Sequence, residues 1–458
     1  MTGGFMVSAG RLSLLAAAGF LLMGGASAQA ADLGGDCCAD LEERIAELEA
    51  TTARKGNRKV KLEVSGHVNE ALIWWDDSVE SNAGIYTNDA ARTRFRFKGD
   101  AKIADGWKAG YLLEIGVRGA NSKRFDQDND NAGPDDVGLD LRHSTWYVDS
   151  KSYGRVWVGL TGGAGESVTE INVAGTGDVA KYSDVEDLGG GLALRRANGN
   201  FSDDGANGGA VGGSSDNIRI RRLIRDGGDQ PGEGRRYNMV RYDTPEIFGF
   251  VGTVNWGEDD TWEVGFRYKG EFSGFKIAAG LAYGETTEPT FTGNQVGFQC
   301  VGSLAAGGEA DCNQLGGSIS VMHEPTGLYV NAAGGYMEDE AIEDAAALAG
   351  FDVEKRHEFY AIEAGLQQKW FPIGKTTVFG QYYHNDGGTI NRDYDTVDFV
   401  LSSELDIYSI GIMQGVDAAA MNFYALYRNV QAEANTSGDG NIEFEDVDLF
   451  LTGAIIKF

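Results

Sequence analysis

The sequence predicts an all-β fold, a transmembrane antiparallel β-barrel of sixteen strands, on three observations. From Val60 onward, apolar residues recur with period two in segments separated by turns. The chain contains 67 glycines, 22 phenylalanines and 18 tyrosines, and its mean hydropathy of -0.28 is too polar for a bundle of membrane helices. The last segment has one face that ends on an aromatic residue and consists of Phe450, Thr452, Ala454, Ile456 and Phe458. Barrel strands show this pattern because one face contacts lipid and the other water.

Residues 1–30 are predicted to be a signal peptide. An apolar run from Leu12 to Met23 follows Arg11, and Ala28-Gln29-Ala30 has the form of a secretory cleavage site. No later segment reaches the roughly 18 consecutive apolar residues of a membrane-spanning helix. The mature chain is therefore expected to be exported and to enter a membrane as strands.

Residues 31–59 are predicted to form a short N-terminal periplasmic helix and a basic linker. Apolar residues recur at spacings of three and four over 38–52. Two heptads alone are marginal in water, so a frayed helix and a small bundle between subunits both fit. The linker residues are Arg54, Lys55, Arg58 and Lys59.

Residues 60–458 are predicted to form the barrel, with short periplasmic turns alternating with long outer loops. The predicted strands are 60–75, 91–103, 107–118, 140–149, 154–160, 236–244, 249–256, 261–269, 274–284, 316–323, 328–337, 357–369, 376–385, 404–416, 420–431 and 446–458. An alternative count of eighteen adds a strand pair at 191–197 and 218–225.

A row of cations on the second predicted strand is the sharpest local signal. A cation at mid-bilayer costs about 2 to 4 kcal/mol on the lipid face, so this row is expected to face a water-filled lumen. The predicted basic wall comprises Arg92, Arg94, Arg96, Lys98, Arg142, Arg155 and Arg241. Strict alternation leaves Arg142 ambiguous, because His143 would then point outward. The alternative is a basic solvent face on an ordinary β-sandwich.

The connection 161–235 is too long to be structureless in a compact domain. Its first part carries the predicted constriction acids Glu166, Glu170, Asp178, Asp184, Glu186 and Asp187. An inward fold would set these carboxylates opposite the basic wall and create a transverse field, whereas an outward fold would merely solvate them. The second part is rich in arginine, which fits either the pore or lipopolysaccharide phosphates.

Cysteines and acidic clusters in the loops give weaker signals. In an oxidising compartment, Cys300 and Cys312 are expected to form a disulfide in preference to two free thiols, whereas the pairing of Cys37 and Cys38 stays open. The segment with Asp126, Asp128 and Asp130 imitates a calcium loop but lacks the glycine that should follow. These acids are weak calcium candidates, expected simply to be hydrated.

Charge and motifs exclude several function classes. A net charge of -30 disfavours nucleic acid as a partner and predicts a mild cation preference at the mouth of a pore. The five histidines have no metal-ligand spacing, and no hydrolase, zinc-protease or P-loop motif occurs. The sequence therefore predicts no enzyme and no cofactor.

Several segments resemble the alphaproteobacterial outer-membrane porin family: Cys38-Ala39-Asp40-Leu41-Glu42-Glu43, Arg54 to Lys59, Val64-Ser65-Gly66, Trp74-Trp75-Asp76-Asp77, Arg241 to Pro245, Trp256 to Asp260 and Gly270 to Phe275. The resemblance implies a homotrimeric channel in the outer membrane of a Gram-negative bacterium. It implies passive diffusion of small hydrophilic solutes and ions, lipid and lipopolysaccharide as surroundings, and an inward loop after the fifth strand. The alternative is a structural or adhesive barrel whose lumen is plugged by 161–235.

Overall fold

The computed structural model describes residues 60–129, 138–201, 217–225, 230–257, 260–287, 312–340, 343, 346–347, 350–393 and 396–458. All of them belong to the compact unit Asn57–Phe458. The predicted signal peptide, N-terminal helix and basic linker lie outside the described residues. Within these residues, no helix is both long and apolar enough to cross a membrane.

The described residues form eighteen antiparallel strands and one short helix. The strands are β1 Glu63–Asp76, β2 Ser81–Thr87, β3 Arg94–Ala104, β4 Trp107–Arg118, β5 Gly138–Ser150, β6 Gly154–Gly162, β7 Arg236–Asp243, β8 Phe250–Gly257, β9 Trp262–Phe272, β10 Phe275–Thr286, β11 Cys312–His323, β12 Leu328–Asp339, β13 Arg356–Phe371, β14 Gly374–Asp393, β15 Thr396–Val416, β16 Met421–Thr436, β17 Gly440–Glu443 and β18 Val447–Lys457. The helix α1 is Ile220–Arg225, and single 3-10 turns cover Asp89–Ala91, Thr176–Asp178, Val185–Asp187 and Asp417–Ala419.

Sixteen of these strands close a barrel, as predicted. β1 pairs with β18 on one side and with β3 on the other, and every other barrel strand pairs with its neighbours. β2 and β17 are additional: β2 folds back on the upper half of β1, and β17 folds back on the end of β16. Both are short and lie in predicted loops, where apolar alternation is too brief to reveal a strand.

The alternative strand pair at 191–197 and 218–225 is wrong. Residues 220–225 form α1, and the two segments share only the isolated bridge between Ala193 and Arg219. The predicted gap at 386–403 is also wrong, because β14 and β15 continue to pair past Asp386 with one irregularity between Gly387 and Thr389. Its Asp and Gly content is typical of a loop, yet backbone pairing continues there.

Alternation along the strands separates a lipid face from an inner face. On β18, Phe450 is 41% exposed, whereas Leu449 and Leu451 are 0% exposed. On β1, Leu72 and Trp74 are exposed, and Ile73 and Trp75 are buried. The outward apolar face agrees with the predicted lipid face. The buried inner face of β18 is apolar as well, which requires that something inside the barrel covers it.

A β-bulge in β5 resolves the ambiguity at Arg142. Glu114 pairs with His143, but the next residue, Ile115, pairs with Leu141, so Arg142 is an extra residue in the strand. Such a bulge lets two consecutive side chains face the same side. Arg142 contacts Glu114 and His143 contacts Thr161, both on the inner face.

Candidate pore constriction

The described parts of the connection between β6 and β7 lie against inward side chains of the barrel wall. The Asn69 amide donates to the carbonyl of Asp178 at 3.1 Å, and the Gln381 amide donates to the carbonyl of Ala180 at 3.0 Å. Asn69 and Gln381 project inward from β1 and β14, two well-separated barrel strands. The segment therefore crosses the lumen, and we call it the inner loop.

Apolar packing fills one side of the lumen. Loop residues and inward wall residues form one buried cluster, which includes Val179, Leu188, Leu192, Leu194, Leu223, Ile407, Leu426, Leu449 and Leu451. Burial of apolar side chains stabilises by roughly 25 cal/mol per Å² of apolar surface removed from water. This packing explains the apolar inner face of β18 and anchors the inner loop to one half of the wall.

Two buried charged side chains of the wall also hold the inner loop. The Arg428 guanidinium donates to the carbonyls of Val185 at 2.6 Å and Leu188 at 3.1 Å. The Glu363 carboxylate accepts from the Thr176 hydroxyl at 2.6 Å and from the Gln381 amide at 2.7 Å. Both side chains are almost fully buried, so the loop supplies polar partners that desolvated charges require.

On the opposite wall, three arginines converge on one buried carboxylate. Glu114 on β4 is 0% exposed and binds Arg142 at 2.8 Å and Arg94 at 3.3 Å. Arg96 forms a short contact with the same carboxylate. Cation rows on strands are visible in the sequence, but this partner is not, because Glu114 meets Arg96 only through the register of β3 with β4.

The other wall arginines also have local carboxylates. Arg92 binds Asp140 at 3.0 Å and contacts Asp89. Arg155 binds Asp149 at 3.0 Å, and Arg241 binds Asp243 at 2.8 Å. The wall is therefore a lattice of ion pairs with an excess of cations around Glu114.

A cavity of about 180 Å³ lies between this wall and the inner loop. Of the predicted basic wall, Arg92, Arg94 and Arg142 line it, and Arg96, Lys98, Arg155 and Arg241 do not. Of the predicted acids, Glu166, Glu170, Asp184 and Asp187 line it. The other charged lining residues are Asp89, Lys123, Lys181, Glu233, Arg235 and Arg236. Charges of both signs thus meet across one narrow passage.

The two remaining predicted acids lie beside this passage. Asp178 lines an adjoining cavity of about 240 Å³ together with His67, Arg94, Glu170 and Lys181. Glu186 is fully buried and binds Lys123 at 3.2 Å. The two cavities share three charged residues, so the passage continues along the basic wall.

The sequence model of the Gram-negative porin family matches residues 13–440 of the 458 in the chain. The chain belongs to this family. As a porin, it forms a channel for passive diffusion across the outer membrane of a Gram-negative bacterium. Its family and fold indicate a channel rather than an enzyme.

Solved structures share the fold of this porin. The anion-selective porin from Comamonas acidovorans is 14% identical over 87% of this chain and 100% of its own, with a TM-score of 0.50. In-vitro-folded OmpT of Vibrio cholerae is 12% identical over 88% and 99%, with a TM-score of 0.48. Its trimer form is 13% identical over 87% and 99%, with a TM-score of 0.46. No curated protein matches the chain significantly.

Ion pairs in the inner loop of the porin perturb its titratable groups. Lys181 binds Glu170 at 2.6 Å and Asp187 at 3.0 Å, and it also contacts Asp184. Burial and the nearby Asp184 raise the pKa of Asp187 to about 7. Burial alone would raise the pKa of Glu166, but Arg236, at 2.5 Å, and neighbouring cations hold it below its ordinary value.

The arginines in the second part of the inner loop mostly tie it to outer segments. Arg195 binds Asp77 at 2.7 Å and contacts Glu80 beside β2. Arg219 binds Asp126 at 2.9 Å, and Arg196 contacts Asp439. Arg235 and Arg236 instead line the constriction. The arginine-rich composition therefore serves two purposes that the sequence did not separate.

The weak calcium candidates and the cysteine pair have different outcomes. The Asp126 carboxylate accepts backbone N–H groups of Asp128 and Asn129 and binds Arg219, so protein groups already engage it. Asp130 and Cys300 lie outside the described residues. Cys312 is buried and disulfide-bonded, and its pairing with Cys300 stays a prediction.

Proposed function

We propose that the passage between the basic wall and the inner loop is the constriction through which small hydrophilic solutes and ions diffuse. The observation that carries this proposal is the cavity that Arg92, Arg94 and Arg142 share with acids of the loop. Fixed charges on opposite sides of a narrow pore act on every permeating ion and dipole. Selectivity is then set by charge at this level as well as by size.

The charge balance of the constriction favours anions. Its lining contains seven cations (Arg92, Arg94, Lys123, Arg142, Lys181, Arg235 and Arg236) and six carboxylates (Asp89, Glu166, Glu170, Asp184, Asp187 and Glu233). Burial and the nearby Glu170 raise the pKa of Glu233 well above its ordinary value, so its carboxyl is neutral at pH 7. We therefore expect a weak anion preference, in place of the mild cation preference that the net charge of -30 suggests.

Reversal potentials in a salt gradient test the role of the wall. Arg94→Ala removes one positive charge from the constriction, so the preference should move toward cations. Arg155→Ala is the matched control, because it makes the same charge change at a residue that does not line the cavity. An equal shift in both variants, or none in Arg94→Ala, would contradict the proposed constriction.

We also propose that the porin acts as a homotrimer, within an outer leaflet of lipopolysaccharide, and belongs to the alphaproteobacterial branch of the family. The support is the sequence resemblance in the segments around Val64-Ser65-Gly66 and Trp74-Trp75-Asp76-Asp77. Native mass spectrometry in mild detergent measures the assembly directly, and a monomer mass would exclude the trimer.

We further propose that residues 1–30 are removed on export, that 31–59 are periplasmic, and that transport involves no covalent chemistry or cofactor. Planar-bilayer recording distinguishes this channel from a plugged structural barrel. Stable ohmic steps support diffusion through the lumen, and a silent barrel would favour the plug.

A further inference from the structure

Outward tyrosines form a row across neighbouring strands of the barrel. Tyr360 on β13 pairs with Tyr382 on β14, which pairs with Tyr408 on β15. Their ring centroids are 5.9 Å and 5.2 Å apart. Tyr360 and Tyr408 are exposed on the lipid side. Aromatic rows of this kind mark the boundary between the hydrocarbon and the headgroups.

Two glycines interrupt this row. Gly334 on β12 pairs with Tyr360, and Gly317 on β11 pairs with Gly334, so the two glycines stand side by side on the lipid face. The exposed Leu281 of β10 continues the row beyond Gly317. The missing side chains leave a notch of about 640 Å³ in the outer surface.

Backbone geometry does not require glycine at Gly334. It is not among the described residues with positive φ, and a Cβ there would meet only the carbonyl oxygen of Phe359, at an ordinary 3.4 Å. A side chain would therefore fit, and its absence leaves space on a surface that faces lipid.

The outer end of the notch has a different chemistry. Arg356 begins β13 and lies with its guanidinium 4.1 Å from the ring centroid of Tyr336. It binds Glu358 at 3.3 Å and is half-exposed. Asp386 also borders the notch. The apolar floor around the two glycines thus leads to a polar rim that holds one guanidinium, two carboxylates and tyrosine rings.

We propose that this notch is a binding site for one lipopolysaccharide molecule of the outer leaflet, with an acyl chain across Gly317 and Gly334 and a headgroup phosphate at Arg356. The surface faces hydrocarbon, so its occupant has to be an amphiphile or a protein. An apolar floor that rises to a guanidinium matches a lipid with an anionic headgroup, because the guanidinium fork binds phosphate in a bidentate manner. Divalent cations prefer oxygen ligands and would link Glu358 and Asp386 to further phosphate oxygens.

This site is separate from the constriction and rests only on the placement of the barrel in the outer membrane. Failure of the lipid site would leave the selectivity measurements untouched, and the converse also holds. Outer-leaflet depth follows from the strand direction: the short turn 324–327 joins β11 to β12 at the other end of the barrel, far from Arg356.

Native mass spectrometry of the full-length porin, extracted from outer membranes with mild detergent and Mg²⁺, tests the proposal. We expect the wild type to retain one lipopolysaccharide per subunit and Gly334→Phe, which fills the notch, to lose it. Val330→Phe is the matched control, because Val330 points outward from the same strand but does not line the notch. In a titration of delipidated protein with purified lipopolysaccharide, Arg356→Gln should bind about tenfold more weakly, as expected for loss of one charge-assisted contact.

Each other outcome overturns the site. Equal retention by Gly334→Phe, or equal loss in Val330→Phe, would indicate a non-specific lipid shell. Retention of a phospholipid in place of lipopolysaccharide would contradict the headgroup assignment. A smaller oligomer mass for Gly334→Phe would make the notch a contact between copies of the chain. If Gly334→Phe does not fold, unchanged binding by the exposed Arg356→Gln variant still refutes the proposal.

Discussion

At the scale of single residues, Glu114 decides how the basic wall behaves. It is fully buried, and Arg94, Arg96 and Arg142 all bind its carboxylate. The shared carboxylate lowers the mutual repulsion of the three guanidinium groups. It also fixes their side chains at the side of the passage instead of across it.

We predict that Glu114→Gln destabilises the barrel and strengthens its preference for anions. Removal of one partner from a buried ion pair costs on the order of 3 kcal/mol, and here it also leaves three cations without their shared carboxylate. Thermal unfolding and the reversal potential measure the two effects. Asp149→Asn is the control, because Asp149 pairs with Arg155 away from the constriction. A stability loss no greater than in this control would contradict the central role of Glu114.

We also predict that ion preference depends on pH through Asp187. Its pKa is raised from 3.8 to about 7, first by burial and then by Asp184. As the pH falls through 7, the carboxyl takes up a proton and the constriction becomes more positive, so the anion preference should increase. Reversal potentials at about pH 6 and about pH 8 measure this change. The dependence should disappear in Asp187→Asn, and its persistence there would assign the titration to another group.

The same pKa shift fixes the direction of the effect on stability. The folded chain holds the proton of Asp187 at pH values where the unfolded chain has already released it. The contribution of Asp187 to the free energy of unfolding is therefore largest below its ordinary pKa of 3.8 and decreases as the pH rises to about 7.

Side-chain direction could be predicted from the sequence where alternation is regular, and partners could not. Arg94 and Arg96 face inward, as their alternation with Phe95 and Phe97 indicates. Glu114 lies 18 residues beyond Arg96, and nothing in the sequence states the register that brings them together. Arg142 was ambiguous because a bulge breaks the alternation on which the prediction depended.

At the scale of elements, barrel closure depends on a close contact between the first and last strands. The backbone groups of Gly66 and Phe458 exchange two hydrogen bonds, of 2.8 and 3.0 Å. A Cβ at Gly66 would lie 2.5 Å from the carbonyl oxygen of Arg94 and 2.7 Å from the Phe458 ring. The last residue of the chain therefore packs on a site where only glycine fits without movement.

We predict that Gly66→Leu impairs closure and lowers the thermal stability of the barrel. The new side chain would meet backbone as well as the Phe458 ring, and forced overpacking costs about 1 to 3 kcal/mol. The shift in mobility between heated and unheated samples on gels reports the folded fraction. Gly138→Leu is the control, because a Cβ at Gly138 meets nothing within 4 Å. Equal folding of both variants would contradict the tight contact.

Element prediction was reliable for long strands and failed for short ones. The sixteen barrel strands alternate over enough residues to reveal their period. β17 has only four residues, which is too few for a period, and β2 lies within a stretch that the outer-loop composition suggested. α1 contains five consecutive residues, Arg221 to Arg225, whose order of apolar and basic types fits a strand as well as a helix.

At the scale of the whole molecule, the lumen has two unlike halves. On one side, the inner loop and the wall form a continuous apolar cluster that includes Leu192, Ile407 and Leu451. On the other, charged side chains enclose the passage. The inner loop is thus a structural part of the barrel core, and it also narrows the pore.

We predict that Leu192→Asp both destabilises the protein and increases its single-channel conductance. Leu192 is 0% exposed, and a charge buried there without a partner is costly, so the inner loop should detach from the wall and widen the passage. Val79→Asp is the control, because Val79 is 55% exposed. Lower stability with unchanged conductance would show that the packed part of the loop does not limit the current.

Fold class could be predicted from the sequence because the lipid face imposes one rule on every strand. The interior obeys no such rule: Leu449 and Leu451 face inward, where water would disfavour them, and only the inner loop makes their burial possible. The sequence indicated a long inward segment with acids. It did not indicate that half of the lumen is packed like the core of a soluble domain.

The bulge in β5 has a consequence for length changes among related chains. Arg142 is the supernumerary residue, and the residues on either side of it, Leu141 and His143, already point to opposite faces. Excision of Arg142 alone would leave every other β5 side chain on its present face, whereas loss of Ser144 would invert one arm of the strand. A homologue shorter by one residue here can therefore retain its lipid contacts, and a gap placed two positions later in an alignment would be an error.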